Sequence, residues 1–263
     1  MRNEHVIATL SPMMKRLFFL VALVACSTLS ASAQRLTAFS VGHTNILDTY
    51  LSQEKFSGTE LGFLSQGVSM RDSSHVSREL THHASMALAG TRGNDHSLLS
   101  ALYNFRFGWH YNWFFPAQRV RLRVGGVGDL TVGGVYNSRN SNNPAQARLA
   151  FSLDPSACLS WDINLGHQLF TLSYAAAIPF IGLAFSPNYG QSYYEIFSRG
   201  NYDHNLVFIS PFSGPQLHQM LTFDMHICRT TLTVGYIGDI LQMKANDLKY
   251  HQYSHGILIG WKY

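Results

Sequence analysis

The sequence predicts an all-β protein, an antiparallel transmembrane β-barrel of about ten strands within bounds of eight and twelve. Three observations predict it. Over residues 253–263, Ile257, Ile259, Trp261 and Tyr263 alternate with Ser254, Gly256, Leu258, Gly260 and Lys262, which are mostly small or polar. That period of two gives a strand one apolar face. An aromatic strand at a chain end invites edge pairing in a soluble domain, whereas a closed barrel zips its last strand to its first. Secondly, from Leu99 the alternation runs for roughly 15 residues, longer than a soluble sandwich strand needs. Thirdly, the chain is rich in Phe, Tyr and Gly and sparse in charge, yet no apolar run after the leader reaches the roughly 20 residues of a membrane helix.

Taken in chain order, Lys15 and Arg16 precede an apolar run from Leu17 to Ala25 and then Ala31-Ser32-Ala33. This reads as a signal peptide with an upstream extension over residues 1–33, cleaved after Ala33. Leu23-Val24-Ala25-Cys26 offers the alternative of lipidation at Cys26. Residues 34–54 read as an N-terminal periplasmic segment and 55–263 as the barrel. Weak strand patterns lie at residues 59–68 and 82–90. In the strong strand that follows, Leu99, Ala101, Tyr103, Phe105, Phe107, Trp109, Tyr111 and Trp113 share the outer face, its far end an aromatic girdle. Val120, Leu122 and Val124 then face outward and Arg119, Arg121 and Arg123 inward.

After a polar turn at 137–143, Leu149, Phe151, Leu153, Leu159, Trp161 and Ile163 share one parity, with Pro155 predicting a bulge or a strand end. Phe170, Leu172, Tyr174, Ala176 and Ile178 continue the design. Residues 179–204 break it, and a long aromatic loop of that kind suits a cap or plug at the barrel mouth. A weak pattern at 205–210 and clear ones at 217–227 and 231–240 complete the count. A soluble β-sandwich is the fold-level alternative, but it leaves the aromatic faces as large exposed patches.

Asn45-Ile46-Leu47-Asp48-Thr49-Tyr50-Leu51, Tyr189-Gly190-Gln191-Ser192-Tyr193-Tyr194-Glu195 and the terminal strand together resemble a family of small outer-membrane barrels of unknown function from the Bacteroides lineage. The ending with Gly256, Ile259, Trp261 and Tyr263 resembles the signal read by the barrel-insertion machinery. The resemblance implies an outer-membrane location and outer-membrane lipid as surroundings. It implies no activity.

Without its leader the chain is weakly basic and has no basic stripe, which excludes nucleic acid as a partner class. Glu60, Arg106, Arg119, Arg121, Arg123, Asp129, Arg148, Asp154, Asp162, Asp224 and Asp239 carry inward parity. Mixed signs favour an internal ion-pair network; Arg119, Arg121 and Arg123 alternatively form a cationic row suited to anions in an open lumen. His83 and Ser85 lie two apart on one face, the spacing of a base beside a nucleophile, but Ala84, Met86 and Leu88 claim the lipid side and turn the pair inward. His82, His83, His218 and His226 lack metal-site spacing, and neither metal nor cofactor is expected. Gly125, Gly126, Gly128, Gly133 and Gly134 miss the dinucleotide spacing and read as small residues easing strand curvature. Cys158 and Cys228 share inward parity on strands that are not neighbours, so a disulfide between them would cross the lumen. The functional readings, in order, are a monomeric narrow pore, a structural or interaction barrel plugged by Tyr189, Ser192, Tyr193, Tyr194 and Glu195, and a lipid hydrolase using His83 and Ser85.

Overall fold

Alternating faces, repeated along the chain, close into a single wall. The computed structural model of the protein describes residues 34–70, 74–93, 96–139, 143–227 and 230–263. The expected leader over residues 1–33 and Cys228 lie outside them. The strands are β1 (Gln34–Asp48), β2 (Lys55–Met70), β3 (Val76–Gly90), β4 (Ser97–Phe115), β5 (Val120–Asn137), β6 (Ala145–Leu165), β7 (Gln168–Ala177), β8 (Ile181–Phe185), β9 (Leu206–Ile209), β10 (Leu217–Ile227), β11 (Thr230–Ala245) and β12 (Leu248–Lys262). Every pairing is antiparallel, β5 joins β6 and β1 joins β12.

β7 and β8 pair with successive stretches of the same edge of β6, and β10 and β9 likewise succeed each other on β7 and β8. The wall therefore has ten positions, two of which are built from interrupted strands. The closing seam runs from Leu36 opposite Lys262 to Asp48 opposite Tyr250. Gly42 faces Gly256 there, and a Cβ on Gly42 would collide with the backbone at His255. The two strands need that glycine to meet.

The expected periplasmic segment at residues 34–54 is corrected by this seam. Residues 34–48 are the first strand, and the barrel begins at Gln34. Its alternation is scrambled: Thr37, His43 and Asn45 stand on the outward parity with Phe39 and Val41, while Leu36, Ala38 and Ile46 are buried inside. Cross-strand pairing on both edges overrides the weak local pattern. The weak stretch at 205–210 is only the short β9, so the ten positions are filled by a different set of segments from those expected.

Pro155 neither ends β6 nor bulges it; the strand runs unbroken over 21 residues. The irregularity lies in the partner. The Pro155 carbonyl accepts from Ile178 N–H at 3.1 Å, so its missing N–H would have pointed to the same neighbour. Opposite that gap the partner gains one residue between Ala177 (facing Ser156) and Ile181 (facing Leu153), which separates β7 from β8.

The outer face is apolar all round: Phe39, Leu61, Leu88, Phe151, Leu153, Ile257 and Ile259 are each more than half exposed. No helix among the described residues is long and apolar enough to cross a membrane. The chain's four tryptophans, Trp109, Trp113, Trp161 and Trp261, all sit outward in the half of their strands nearer Gln34 and Tyr263. That end, called here the terminal end, carries the short turns at 116–119 and 166–167; the opposite loop end carries residues 186–205. Inside, an apolar cluster around Ile46, Phe56, Leu98, Val135 and Tyr250 lies at the loop end, and a smaller one joins Leu36, Ala38, Leu64, Ile237 and Leu258. Polar side chains fill the rest.

A charged network in the lumen and a cap over it

The inward parity of six strand positions brings seven polar side chains to one place. β3 supplies His83, β4 Asn104 and Arg106, β5 Asp129, β6 Asp154, β10 His218 and β11 Asp239. His218 Nδ1 and Asp239 Oδ1 are 2.6 Å apart, and His83 Nδ1 stands 3.5 Å from Asp239 Oδ2. On its other side the His218 ring turns Nε2 toward Asp129 Oδ2 at 3.6 Å, and Arg106 Nε lies 3.8 Å from the same oxygen. Asp129 Oδ1 accepts from the Asn104 amide at 2.5 Å. Asp154 is almost wholly buried, yet neither of its oxygens meets a hydrogen-bond partner. Asp129, Asp154 and His218 together present a set of ligand atoms within 4.8 Å of one another.

Four further clusters stack above and below. Glu79 accepts from Gln66 Nε2 at 2.9 Å and faces Arg123 at 3.7 Å and His110 at 3.8 Å. Glu60 accepts from Ser254 Oγ at 2.7 Å and Gln252 Nε2 at 3.1 Å. Near the terminal end Lys262 pairs with Asp224, and Thr171 Oγ1 donates to Asp162 at 2.8 Å. At the loop end Arg148 pairs with Asp48, its guanidinium 3.5 Å over the Tyr250 ring. β6 and β1 stand five places apart in a ring of ten, so this last pair spans the lumen's full width.

The predicted residues are thus distributed unevenly. Glu60, Arg106, Arg123, Asp129, Arg148, Asp154, Asp162, Asp224 and Asp239 face inward and have polar or ionic neighbours, save that the oxygens of Asp154 are unmet. Arg119 does not line the lumen. It ends the exposed 3-10 turn at Pro116–Gln118 with a left-handed φ of 54°. Arg121 lies 5.8 Å over Phe114 at the mouth, so the three arginines have three different surroundings. His83 and Ser85 share the inner face as expected, but no hydrogen bond joins them, and His83 is engaged with Asp239. Cys158 is a buried free thiol. Gly256 faces the seam, while Ile259, Trp261 and Tyr263 are exposed on the outer side. Sequence reading missed Asp48, Glu79, His110 and Lys262. Inward parity on β3, β4 and β12 marked the last three, whereas Asp48 lay in a segment not read as a strand.

Residues 186–205 cover the loop end. Their short helix α1 (Tyr193–Phe197) starts with a capping box: Ser192 Oγ accepts from Glu195 N–H at 3.2 Å, and the Glu195 carboxylate accepts from Ser192 N–H at 2.8 Å. The Ser192 N–H and hydroxyl, both donating to it, hold the Glu195 carboxyl below its usual range. Ile196 is fully buried, whereas Tyr189 and Tyr194 are exposed. Tyr193 reaches down to β6, donating to Gln146 Oε1 at 3.0 Å and accepting from Ala147 N–H at 2.6 Å. Tyr50, in the β1–β2 turn, donates to the Gln191 carbonyl at 2.8 Å. Burial first, then Tyr193 and Asp48 nearby, pushes the Tyr50 phenol up to about 12. Asn246 ties the other side, donating to the carbonyls of Ser186 and His204 at 3.0 and 2.9 Å.

Residues 16–262 match the family described as protein of unknown function (DUF3316), and the chain belongs to that family. No curated protein matches it. Among solved structures it is similar to the transport unit of the autotransporter AIDA-I from Escherichia coli, at 7% identity and a TM-score of 0.47, covering 95% of this chain and 96% of that one. It is similar also to the outer membrane protease OmpT from Escherichia coli, at 7% identity and a TM-score of 0.44, covering 90% and 99%. A third is the COG4313 outer membrane channel from Pseudomonas putida F1, at 9% identity and a TM-score of 0.34, covering 89% and 97%.

Proposed function

We propose that the protein is an outer-membrane β-barrel with a shut lumen, a structural or interaction barrel rather than a pore. The observation that carries this reading is the Arg148–Asp48 pair. It joins opposite walls beneath the cap, and both side chains are buried. A charge pair that spans the lumen out of water leaves no continuous aqueous column at that level. Below it, Ser100 Oγ donates to Gln252 Oε1 at 3.0 Å across four wall positions, and the His83–Asp239 contact crosses four more.

The outer apolar belt with tryptophans at one rim suits a lipid bilayer. Outer-membrane lipid, the barrel-insertion machinery, a monomeric state and export through a leader ending at Ala33 belong to the same reading. The exposed tyrosines of the cap, Tyr189 and Tyr194, give the loop end its aromatic contact surface. Hydrolysis by His83 and Ser85 finds no support in their placement.

Reconstitution of the folded protein in a planar bilayer tests the reading. Membranes holding protein whose gel mobility shifts on boiling are expected to stay silent. Discrete conductance steps from the wild type would overturn the closed lumen and return the Arg121 mouth to consideration as an ion filter.

A further inference from the structure

We propose that Asp129, Asp154 and His218 form a buried site for one divalent transition-metal ion of the zinc class inside the lumen. The inference stands apart from the closed-lumen reading, since a conducting barrel would hold the same three side chains.

Distance is the first argument. His218 Nε2 and Asp129 Oδ2 are 3.6 Å apart, too far for a good hydrogen bond. Two ligands held at about 2.1 Å in a tetrahedral shell stand about 3.4 Å from each other, so this pair already has the spacing of two ligands, and the full set, within 4.8 Å, draws in on binding. Asp154 supplies the second and independent observation. Its carboxylate is 1% exposed, and apart from the Ser152 side chain beside it neither oxygen meets a donor. Burying a carboxylate unpaired is among the costliest arrangements in a protein, and a bound cation removes that cost.

Charge is the third. Asp129, Asp154 and Asp239 bring three negative charges to the cluster, and Arg106 brings one positive. As a ligand His218 must be neutral, giving up the proton that its pairs with Asp239 and Asp129 favour, and with His83 neutral the sum is then minus two, which a divalent ion cancels. The imidazole is also set up as a ligand. Asp239 engages Nδ1 at 2.6 Å, which fixes the tautomer and leaves the Nε2 lone pair directed at Asp129. One imidazole with two carboxylates suits zinc, manganese, cobalt or iron(II) better than calcium or magnesium, which take shells of oxygen. A small pocket of mixed lining, with Arg106, His218 and Asp239 beside Leu64, Met220 and Ile237, borders the site on the His218 side.

The protein refolded from urea into detergent micelles with zinc chloride, then passed over a chelating resin, is expected to keep about one zinc per chain. Asp154→Asn and His218→Ala are expected to keep roughly a tenth of that or less, since each removes one of three ligands. Asp239→Asn, which changes only the orienting group, is expected to weaken zinc binding about 10- to 100-fold. His167→Ala, in the exposed β6–β7 turn, is expected to keep the full amount. The gel shift on boiling verifies that each variant is folded. Should a variant fail to fold, titration of the metal-free wild type with zinc, manganese and cobalt decides alone. A folded wild type that takes up none of the three overturns the site, and so does a zinc content that falls as far in His167→Ala as in His218→Ala.

Discussion

One half of the barrel wall is continuous and the other carries two broken positions. β1 to β6 run 15 to 21 residues each and pair along both edges. In the other half, two wall positions are each split, into β7 with β8 and β9 with β10, and β9 pairs only with β8. The upper stretch of β11 has no full strand beside it on that flank. Ser213 and Gln216 reach it through single contacts, with Lys244 N–H donating to Ser213 O and Gln216 Nε2 to Gln242 O, both at 3.0 Å. The difference shows where the cap comes from. Chain that would extend the wall is diverted across the mouth as residues 186–205, which meet the β1–β2 turn through Tyr50 and β6 through Tyr193 on the continuous half, and the β11–β12 turn through Asn246 on the other. Unbroken pairing satisfies the backbone groups along the apolar belt; beyond it, those groups can be satisfied by water and by the cap.

The continuous half offers the largest effect. Arg148→Ala leaves Asp48 buried without its cation and is expected to cost about 3–5 kcal/mol. Equilibrium urea unfolding in micelles measures it. Arg148→Met combined with Asp48→Asn is expected to recover most of that loss, because no uncompensated charge remains. If the single variant is as stable as the wild type, the loop end is not held by the cross-lumen pair.

The cap itself gives the next effect. Ser192→Ala removes the hydroxyl of the capping box and is expected to cost about 1 kcal/mol of local stability in α1, with global unfolding unchanged. Hydrogen exchange at the Glu195 amide reads it. The same exchange depends on pH with a defined sign. The Glu195 carboxyl is held below its usual value in the folded loop, so its capping contribution is complete at neutral pH and disappears as pH falls through that lowered value. Exchange at β4 over this acid range is expected to follow only the intrinsic pH trend. A cap that loosens instead as pH rises from neutral would point to the Tyr50 phenol as the controlling group.

The same contrast governs what the sequence made legible. β4 and β12 alternate cleanly because one face is apolar and turned outward and the other lines a polar lumen, and their faces are readable residue by residue. β1 was unreadable by that rule. Its inner face packs Leu36, Ala38 and Ile46 into apolar clusters, so apolar residues stand on both sides. The charged network was legible only in part. Parity placed Asp129, Asp154 and Asp239 inside, but which of them meet depends on the stagger of strands around a closed ring. No local pattern encodes that Asp48 reaches Arg148 across it. Arg119 was misplaced because alternation was carried one residue past the strand into a turn whose left-handed residue ends it.

Pro155 carries the smallest prediction and the sharpest one for the broken half. If its missing N–H causes the split between β7 and β8, then Pro155→Ala restores a donor aimed at that neighbour. The partner strand still carries Pro179 and one extra residue, so β7 and β8 cannot close up by this change alone. The side chain at 155 points outward, and the loss of ring area is small. Stability is therefore expected to change by about 0.5 kcal/mol or less, in either direction. The readout is hydrogen exchange at Ile178 and Phe180, whose N–H groups donate to Pro155 O and Leu153 O at 3.1 and 3.3 Å. Slower exchange there, with β4 and β5 unchanged, would locate the origin of the break in β6. Unchanged exchange would assign it to Pro179 and the inserted residue, and the continuous strand would be a bystander to its partner's irregularity.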